Sequence, residues 1–250
     1  MLPGGLFITG TDTEVGKTYV AALLARTLRG AGLRVGVYKP AASGCRREGP
    51  ELVSDDALLL WEAAGRPGTL DQVCPQRFAA PLAPSVAAAA EGRCVDERLL
   101  HEGLSAWSGC DVVLVEGAGG LFSPLSQRWL VADLALRLGY PLVVVARNAL
   151  GTINHTLLTL HAAATYGTGL TVAAVVVNDG VPRRPAAGTT PAAAATGAGT
   201  APHIVDDDPS RASNVDQLRH WCRLENVTCL ARGGSQFVPA VDWLALARRS

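Results

Sequence analysis

Lysine is nearly missing from this sequence: of 22 basic residues only Lys17 and Lys39 are lysine, and the rest are arginine. A surplus of positive charge is missing too, since 22 basic residues face 22 acidic ones and the pI is about 6.9. Nucleic-acid binders ordinarily carry a basic excess, so this balance speaks against nucleic acid as a partner. Long apolar runs are absent as well. A membrane span needs roughly 18 consecutive apolar residues, whereas the longest runs here, such as Val172–Val177, are strand-sized. No membrane partner is therefore expected. The opening MLPGGLFITG places no basic region before an apolar one and does not read as a signal peptide. The six cysteines form no C-x-x-C pair, and none of the five histidines stands at zinc spacing from a cysteine. Free, buried thiols and a cytoplasmic location are the expectation. What is present, 48% hydrophobic and 18% charged residues over 250 positions, is globular composition at a length that suits one α/β domain.

Strand-like and helix-like segments alternate along the chain. Strands are expected at Leu6–Thr9, Arg34–Tyr38, Val112–Val115, Leu142–Ala146, Val172–Val177 and Val227–Leu230. Helices are expected at Lys17–Arg29, Asp55–Ala64 (opened by Ser54), Val95–Trp107, Leu130–Leu138, Thr152–Tyr166, Asn214–Cys222 and Val241–Arg248. Continuous Val/Leu strands alternating with amphipathic helices predict an α/β fold, a mostly parallel central sheet with helices on both faces. Such sheets bind ligands beyond the carboxyl ends of their strands. Residues 185–202 consist only of Pro, Ala, Gly and Thr, which predicts a flexible low-complexity loop within the single domain 1–250.

Leu6–Thr9 runs into Gly10-Thr11-Asp12-Thr13-Glu14-Val15-Gly16-Lys17-Thr18, and a helix follows. Strand, glycine-rich loop, Gly-Lys-Thr and helix is the context of a phosphate-binding P-loop. Backbone N–H groups of such a loop cradle phosphate oxygens, aided by the helix dipole. Lys17 brings a compact charge to the β/γ-phosphates, and Thr18 offers a hydroxyl to Mg²⁺. Five residues separate Gly10 from Gly16 where the strict pattern has four, so an ordinary β–α turn containing GKT is the other reading.

A second apolar strand ends in Glu116-Gly117-Ala118-Gly119-Gly120. Mg²⁺ prefers carboxylate oxygens together with phosphate, and Glu116 lies where a second metal contact belongs. A capping acid followed by a simple glycine turn is the alternative. Lys39 ends the strand before Pro40 and Ser43, at a position that faces the ligand crevice, though a solvated surface lysine is the commoner case. Asp56 alone would pass as a first-turn helix acid.

Together these segments resemble one family, the dethiobiotin synthetases. The resemblance rests on Gly10–Thr18 (GTDTEVGKT), Tyr38–Gly44 (YKPAASG), Ser54–Leu58 (SDDAL), Phe78–Pro84 (FAAPLAP), Glu91-Gly92 and Val115–Gly120 (VEGAGG) with Pro124-Leu125. Leu150–His155 (LGTINH), Leu157–Thr159 and Val177–Asp179 (VND) complete it, in the family's order. GTDTEVGKT combined with YKP-x-x-SG and LG-x-INH is specific to that family within the P-loop superfamily.

The resemblance implies an ATP- and Mg²⁺-dependent cyclo-ligase acting on 7,8-diaminopelargonic acid and CO₂. One substrate amine takes up CO₂ as a carbamate. The carbamate oxygen attacks the γ-phosphate, and the second amine closes the cyclic urea and expels phosphate. It further implies that Lys17 serves the β/γ-phosphates and that Lys39 serves the carbamate and γ-phosphate. Thr18, Asp56 and Glu116 become Mg²⁺ contacts. Ser43 holds substrate, and Asn154 reaches the substrate carboxylate of a neighbouring subunit, which implies a homodimer. Thr13, Glu14, Val15, Gly16 and Tyr19 with Gly117, Ala118 and Gly119 line the phosphates, and Asn178 and Asp179 meet the adenine.

After Asp179 the likeness stops. The family's Gly-Glu-x-Pro-like turn beside the base has no match, and Ala231-Arg232-Gly233-Gly234 stands near its place. A partition- or localisation-type P-loop switch ATPase is the competing class. Such proteins carry a second lysine inside the phosphate loop, and this loop has only Lys17.

Overall fold

The computed structural model describes residues 3–180 and 208–248. The stretch 185–202 lies outside the described residues. Strand β1 (Gly4–Gly10) comes first, and helix α1 (Lys17–Gly30) follows it, burying Val20, Leu24 and Leu28 at helical spacing. After β2 (Val35–Tyr38) the chain makes an excursion through β3 (Ala41–Ala42), β4 (Arg46–Glu48) and β5 (Glu51–Val53). Helices α2 (Asp55–Ala63) and α3 (Leu70–Val73), β6 (Gln76–Arg77), α4 (Pro84–Ala90) and α5 (Glu97–Glu102) continue it. The remaining order is β7 (Val112–Gly120), α6 (Val131–Leu138), β8 (Leu142–Arg147), α7 (Thr152–Thr165) and β9 (Val172–Asn178). Beyond residue 207 come α8 (Arg211–Cys222), β10 (Val227–Leu230), β11 (Phe237–Val238) and α9 (Trp243–Ala247).

Seven strands form the central sheet in the order β11-β10-β9-β8-β1-β7-β2. Every pairing in it is parallel except β10 with β11. Successive residues of β1, β7 and β8 are buried, and successive residues point to opposite faces, so both faces of the sheet are covered. Helix α1 packs on β1, β2 and β7, α7 on β8, and α8 on β10. The expected α/β architecture is thus present.

Chain order makes the centre of this sheet special. From β1 the chain goes outward to β2, inserts β7 between them, and then crosses β1 to lay β8 on its other side. Strand direction of travel reverses at β1, and a crevice opens there at the carboxyl ends of the strands. Gly10, Tyr38 and Glu116 all lie at or near those ends.

Several local expectations needed correction. The helix expected over Val95–Trp107 is α-helical only over Glu97–Glu102, and Gly103–Trp107 tightens into a 3₁₀ turn. Asp96 caps its start by accepting from Leu99 N at 3.1 Å. At its end the Tyr38 hydroxyl donates to the carbonyls of Leu99 (2.8 Å) and Leu100 (3.2 Å), and Leu99 O also accepts from the backbone N–H of Gly103. The strand read as Val112–Val115 runs on to Gly120, because Gly120 still pairs with Gly10 of β1. The simple glycine turn is therefore not what forms there. Helix α8 starts earlier than expected, with Arg211 N and Asn214 N donating to Asp208 O and Ser210 O. Helix α9 starts later, where Asp242 accepts from Ala245 N. All six cysteines are free, but only Cys45 and Cys74 are buried and Cys94 is exposed.

Gly103 packs so closely on buried Tyr38 that an added Cβ would collide with the phenol ring and hydroxyl. Gly103→Ala is expected to lower the urea-unfolding free energy by about 1–3 kcal/mol, the usual cost of overpacking. An unchanged unfolding midpoint would show that the Tyr38 ring has room to yield.

Candidate active site

The phosphate loop hangs between β1 and α1. Gly16, immediately before the helix, has φ 91°, a left-handed conformation that only glycine adopts without strain. A side chain at Gly10 would stand 2.7 Å from the Asp12 carbonyl and 3.1 Å from Lys17 Nζ. Both glycines are thus required by the loop's path. The loop is held from below by neighbouring strands. Thr11 N donates to Val145 O of β8 at 2.9 Å. Arg147 donates to Glu14 O at 3.0 Å, and Asn178 Nδ2 donates to Val15 O at 2.9 Å. Glu14 itself sits at φ 53°, an uncommon conformation for a residue with a Cβ. Lys17 Nζ folds back to Asp12 O at 2.9 Å. No side chain caps the start of α1, and no acid lies in its first turn. Its first N–H groups and the positive end of its dipole are available to an anion.

Beside the loop, four elements bring charged groups together. The parallel register sets Tyr38 of β2 opposite Val115 of β7, so the next residues, Lys39 and Glu116, are neighbours. Lys39 Nζ donates to Glu116 Oε1 at 2.5 Å and pairs with Asp56 Oδ2 at 2.9 Å. Ser54 places Asp56 in the first turn of α2 by capping that helix through Ala57 N. Thr18 Oγ1, from the first turn of α1, donates to the same Glu116 oxygen at 2.8 Å. Lys39 and Glu116 are almost completely buried, whereas about half of the Asp56 side chain is exposed (52%).

These groups set each other's protonation. Burial works against a charge on Lys39, but Asp56 and Glu116 together outweigh it and hold the ammonium well above the ordinary lysine range. Lys39 draws the Asp56 carboxyl below its ordinary value, against the effect of burial. Burial pushes Glu116 up, with Lys39 pulling the other way. Lys17 is brought down to about 8, chiefly by burial and further by the like charge of Lys39, with Glu116 opposing.

The donor set was tested for a hard divalent cation. Thr18, Asp56 and Glu116 are all oxygen donors, as Mg²⁺ prefers. Glu116 Oε1 already receives two donors, but Oε2 is buried and has no hydrogen-bond partner. An orphaned buried carboxylate oxygen is costly, and a cation beside it would remove that cost. Among the described residues no group of three or more His, Cys, Asp or Glu forms a metal site. The protein therefore supplies a partial set, fit for an ion that takes its remaining ligands from phosphate and water.

The residues singled out from the sequence fall into four groups. Lys17, Thr18, Lys39, Asp56 and Glu116 meet in one cluster. Thr13, Glu14, Val15, Gly16 and Tyr19 belong to the adjoining loop and helix start, and Gly117, Ala118 and Gly119 continue the strand that carries Glu116. Ser43 and Asn154 take no hydrogen bond or ion pair with the cluster, and Asn154 lies exposed on α7. Asn178 is 2% exposed, and its amide nitrogen donates to Val15 O, so it braces the phosphate loop. Asp179 keeps a 31% exposed side chain at the same strand end. Three contributors went unread: Arg147, which props Glu14, and Asn148 with Asn214, a buried amide pair. None of them lies in a local pattern that signals such a role.

With this geometry in view, comparison with known proteins is informative. A family model described as an AAA domain matches residues 4–231. An ATP-dependent dethiobiotin synthetase of Rhodopirellula baltica is 40% identical over 246 residues, 93% of this chain and 86% of the relative. The protein of the same name from Anaeromyxobacter dehalogenans is 50% identical over 175 residues, 70% of this chain and 76% of the relative. Among solved structures, the signal recognition particle receptor FtsY of Elizabethkingia anophelis aligns over 98% of this chain and 64% of its own, at 14% identity and a TM-score of 0.48. The two close relatives, the matched domain and the cluster of Lys17, Thr18, Lys39, Asp56 and Glu116 agree: the chain belongs to the ATP-dependent dethiobiotin synthetase family.

Proposed function

We propose that this protein is an ATP-dependent cyclo-ligase that joins CO₂ to 7,8-diaminopelargonic acid and closes the ring of dethiobiotin, releasing ADP and phosphate. The observation that carries this reading is the convergence of Lys39, Glu116, Asp56 and Thr18 beside the Lys17 phosphate loop. Phosphoryl transfer to a carbamate brings two anions together, and fixed positive charge must offset their repulsion. Lys39 is suited to this. Its two carboxylate neighbours keep it protonated, and its place at the end of β2 lets it face both the γ-phosphate and the carbamate. Lys17 and the backbone of residues 13–19 would hold the β/γ-phosphates, and Gly117–Gly119 would flank them. Mg²⁺, held by Thr18, Asp56 and Glu116, would supply neutralising charge to the phosphates. Ser43 would hold the diamine. At the base, Asp179 offers the exposed acceptor, while Asn178 supports it from behind through the loop.

Further features support the rest of the reading. Asn154 and Leu158, four residues apart on α7, are exposed together with Leu150 just before the helix, which fits a face covered by a second copy in a homodimer. Free cysteines fit a reducing cytoplasmic compartment. Among the described residues no helix is long and apolar enough to cross a membrane. One contiguous set of buried residues runs from β1 to α9, as suits a chain that works as one domain.

Three outcomes are expected. Purified protein given the diamine, bicarbonate and Mg-ATP should form dethiobiotin with one ADP per ring, read by mass spectrometry and a coupled assay; ADP release independent of the diamine would contradict the assignment. Lys39→Ala should lower turnover by about 10²–10³-fold, the scale of a lost charge-stabilising group, while shifting the ADP dissociation constant far less. Near-normal turnover would remove Lys39 from the chemistry. The third concerns pH. Phosphate binds the protonated form of Lys17, whose pKa is about 8 in the free protein, so binding above that pH must take up a proton. Metal-free ADP affinity should therefore weaken as pH rises past 8, by up to about tenfold per unit. A flat calorimetric profile across that range would mean that Lys17 does not meet the phosphates as an ammonium.

A further inference from the structure

We propose that Asn148, anchored by Asn214, is a positioning residue for nucleotide-base selection: it orients the Asp179 carboxylate without touching the nucleotide. The inference rests on the reading that the end of β9 faces the base.

Asn148 is the first residue beyond β8, and it is 5% exposed. All of its polar groups are engaged. Its N–H donates to Asn178 O at 2.8 Å, continuing the β8–β9 pairing. Its Nδ2 donates to Asp179 Oδ1 at 3.0 Å and to Arg211 O at 3.4 Å. Its Oδ1 accepts from Asn214 Nδ2 at 2.9 Å, and its carbonyl accepts from Arg211 Nε at 3.0 Å. Asn214, in the first turn of α8 and 2% exposed, also donates to Ala149 O and to Ser210 Oγ, both at 3.3 Å. Leu150 N donates to Asp208 Oδ2 at 2.7 Å, so the start of α8 is stitched along the β8–α7 connection.

The pairing has a direction. Because Asn214 donates to the Asn148 oxygen, the Asn148 amide nitrogen must point the other way, toward Asp179. That fixes one Asp179 oxygen as an acceptor facing inward. The rest of the carboxylate is left on the exposed side at a set angle, and Arg211 Nε lies 4.0 Å from the fixed oxygen. Discrimination between bases needs polar groups held at fixed positions, since a group free to swing can satisfy more than one base edge. A carboxylate is acceptor-only: with one oxygen held by Asn148 it can meet the single amine of adenine, whereas a released carboxylate could take both adjacent donors of guanine, N1–H and N2–H.

Asn148→Asp tests this by turning an attractive contact into a repulsion between carboxylates. The expected result is a fall of about tenfold in the ratio of kcat/KM for ATP to that for GTP, carried by KM for ATP, with kcat nearly unchanged; tenfold is the scale of one lost hydrogen bond to a charged group. Affinity for inorganic tripolyphosphate, which has no base, should stay within about threefold, the margin left by a hydrogen bond it does not use. The exchanged pair Asn148→Asp with Asp179→Asn restores a donor-to-acceptor contact and should recover most of the discrimination. A purely structural role would move thermal stability and tripolyphosphate binding together and leave the nucleotide ratio alone. That result would overturn the proposal, as would an exchanged pair no better than Asn148→Asp. Asn148→Ala, which adds no charge, stands in if Asn148→Asp does not fold. Asp179→Ala separates the two layers. If Asp179→Ala alters the ratio and neither Asn148 variant does, only the positioning role falls. If Asp179→Ala leaves the ratio unchanged, the base does not meet the end of β9 and both readings fall.

Discussion

An ammonium and a carboxylate, 2.5 Å apart and both nearly sealed from water, hold the centre of this site. Lys39 follows the last residue of β2 and Glu116 lies in the middle of the adjacent parallel strand β7, and the register that pairs Tyr38 with Val115 brings them side by side. Neither could be buried alone. Removing one partner of a buried pair typically costs about 3–5 kcal/mol, because the other is left as an unpaired charge. The other parts gather around that pair. Helix α1 contributes Thr18 to the same Glu116 oxygen, and α2 contributes Asp56 to the same Lys39 nitrogen. The position of the phosphate loop, the carboxyl end of β7 and the capped start of α2 are thereby fixed relative to one another.

The same constraint explains why lysine survives at two positions in an arginine-rich chain. Lys17 is 7% exposed and Lys39 is 4% exposed, and each fits a narrow space. A guanidinium is planar and wider, and it could not replace a compact ammonium between two carboxylates or inside the loop. Arg98, by contrast, occupies a solvent-facing pair through a single contact to Glu102, where either cation would serve.

What could be read from the sequence was what the chain writes locally. The β1–loop–α1 unit was legible because glycines, Lys17 and Thr18 act within one turn of each other, and the Val/Leu runs were legible as covered parallel strands. Read by their own neighbourhoods, Lys39 and Asp56 would have passed for a surface lysine and a helix-start acid. Their partner Glu116 lies far along the chain, and only strand register brings it near. The helix over Val95–Trp107 was overextended because buried apolar residues continue at helical spacing through Leu104 and Trp107, which lie in the 3₁₀ turn. That Asn178 also braces the phosphate loop through Val15 O was not legible, because that contact joins residues far apart in the chain. Asn148 and Asn214 carried no sign at all, because a buried amide pair between a loop and a helix has no sequence pattern.

In the proposed reaction this cluster transfers the γ-phosphoryl group of ATP to a carbamate oxygen, and isotope transfer follows that oxygen. In a single turnover with ¹⁸O-labelled bicarbonate, rapidly quenched, the carbamate oxygen that attacks phosphorus should leave with it when the ring closes. Released phosphate is expected to carry one ¹⁸O atom, with the other label retained in the cyclic urea. Phosphate free of ¹⁸O, formed together with dethiobiotin, would mean that water or another nucleophile takes the phosphoryl group and that the carbamate is not the acceptor.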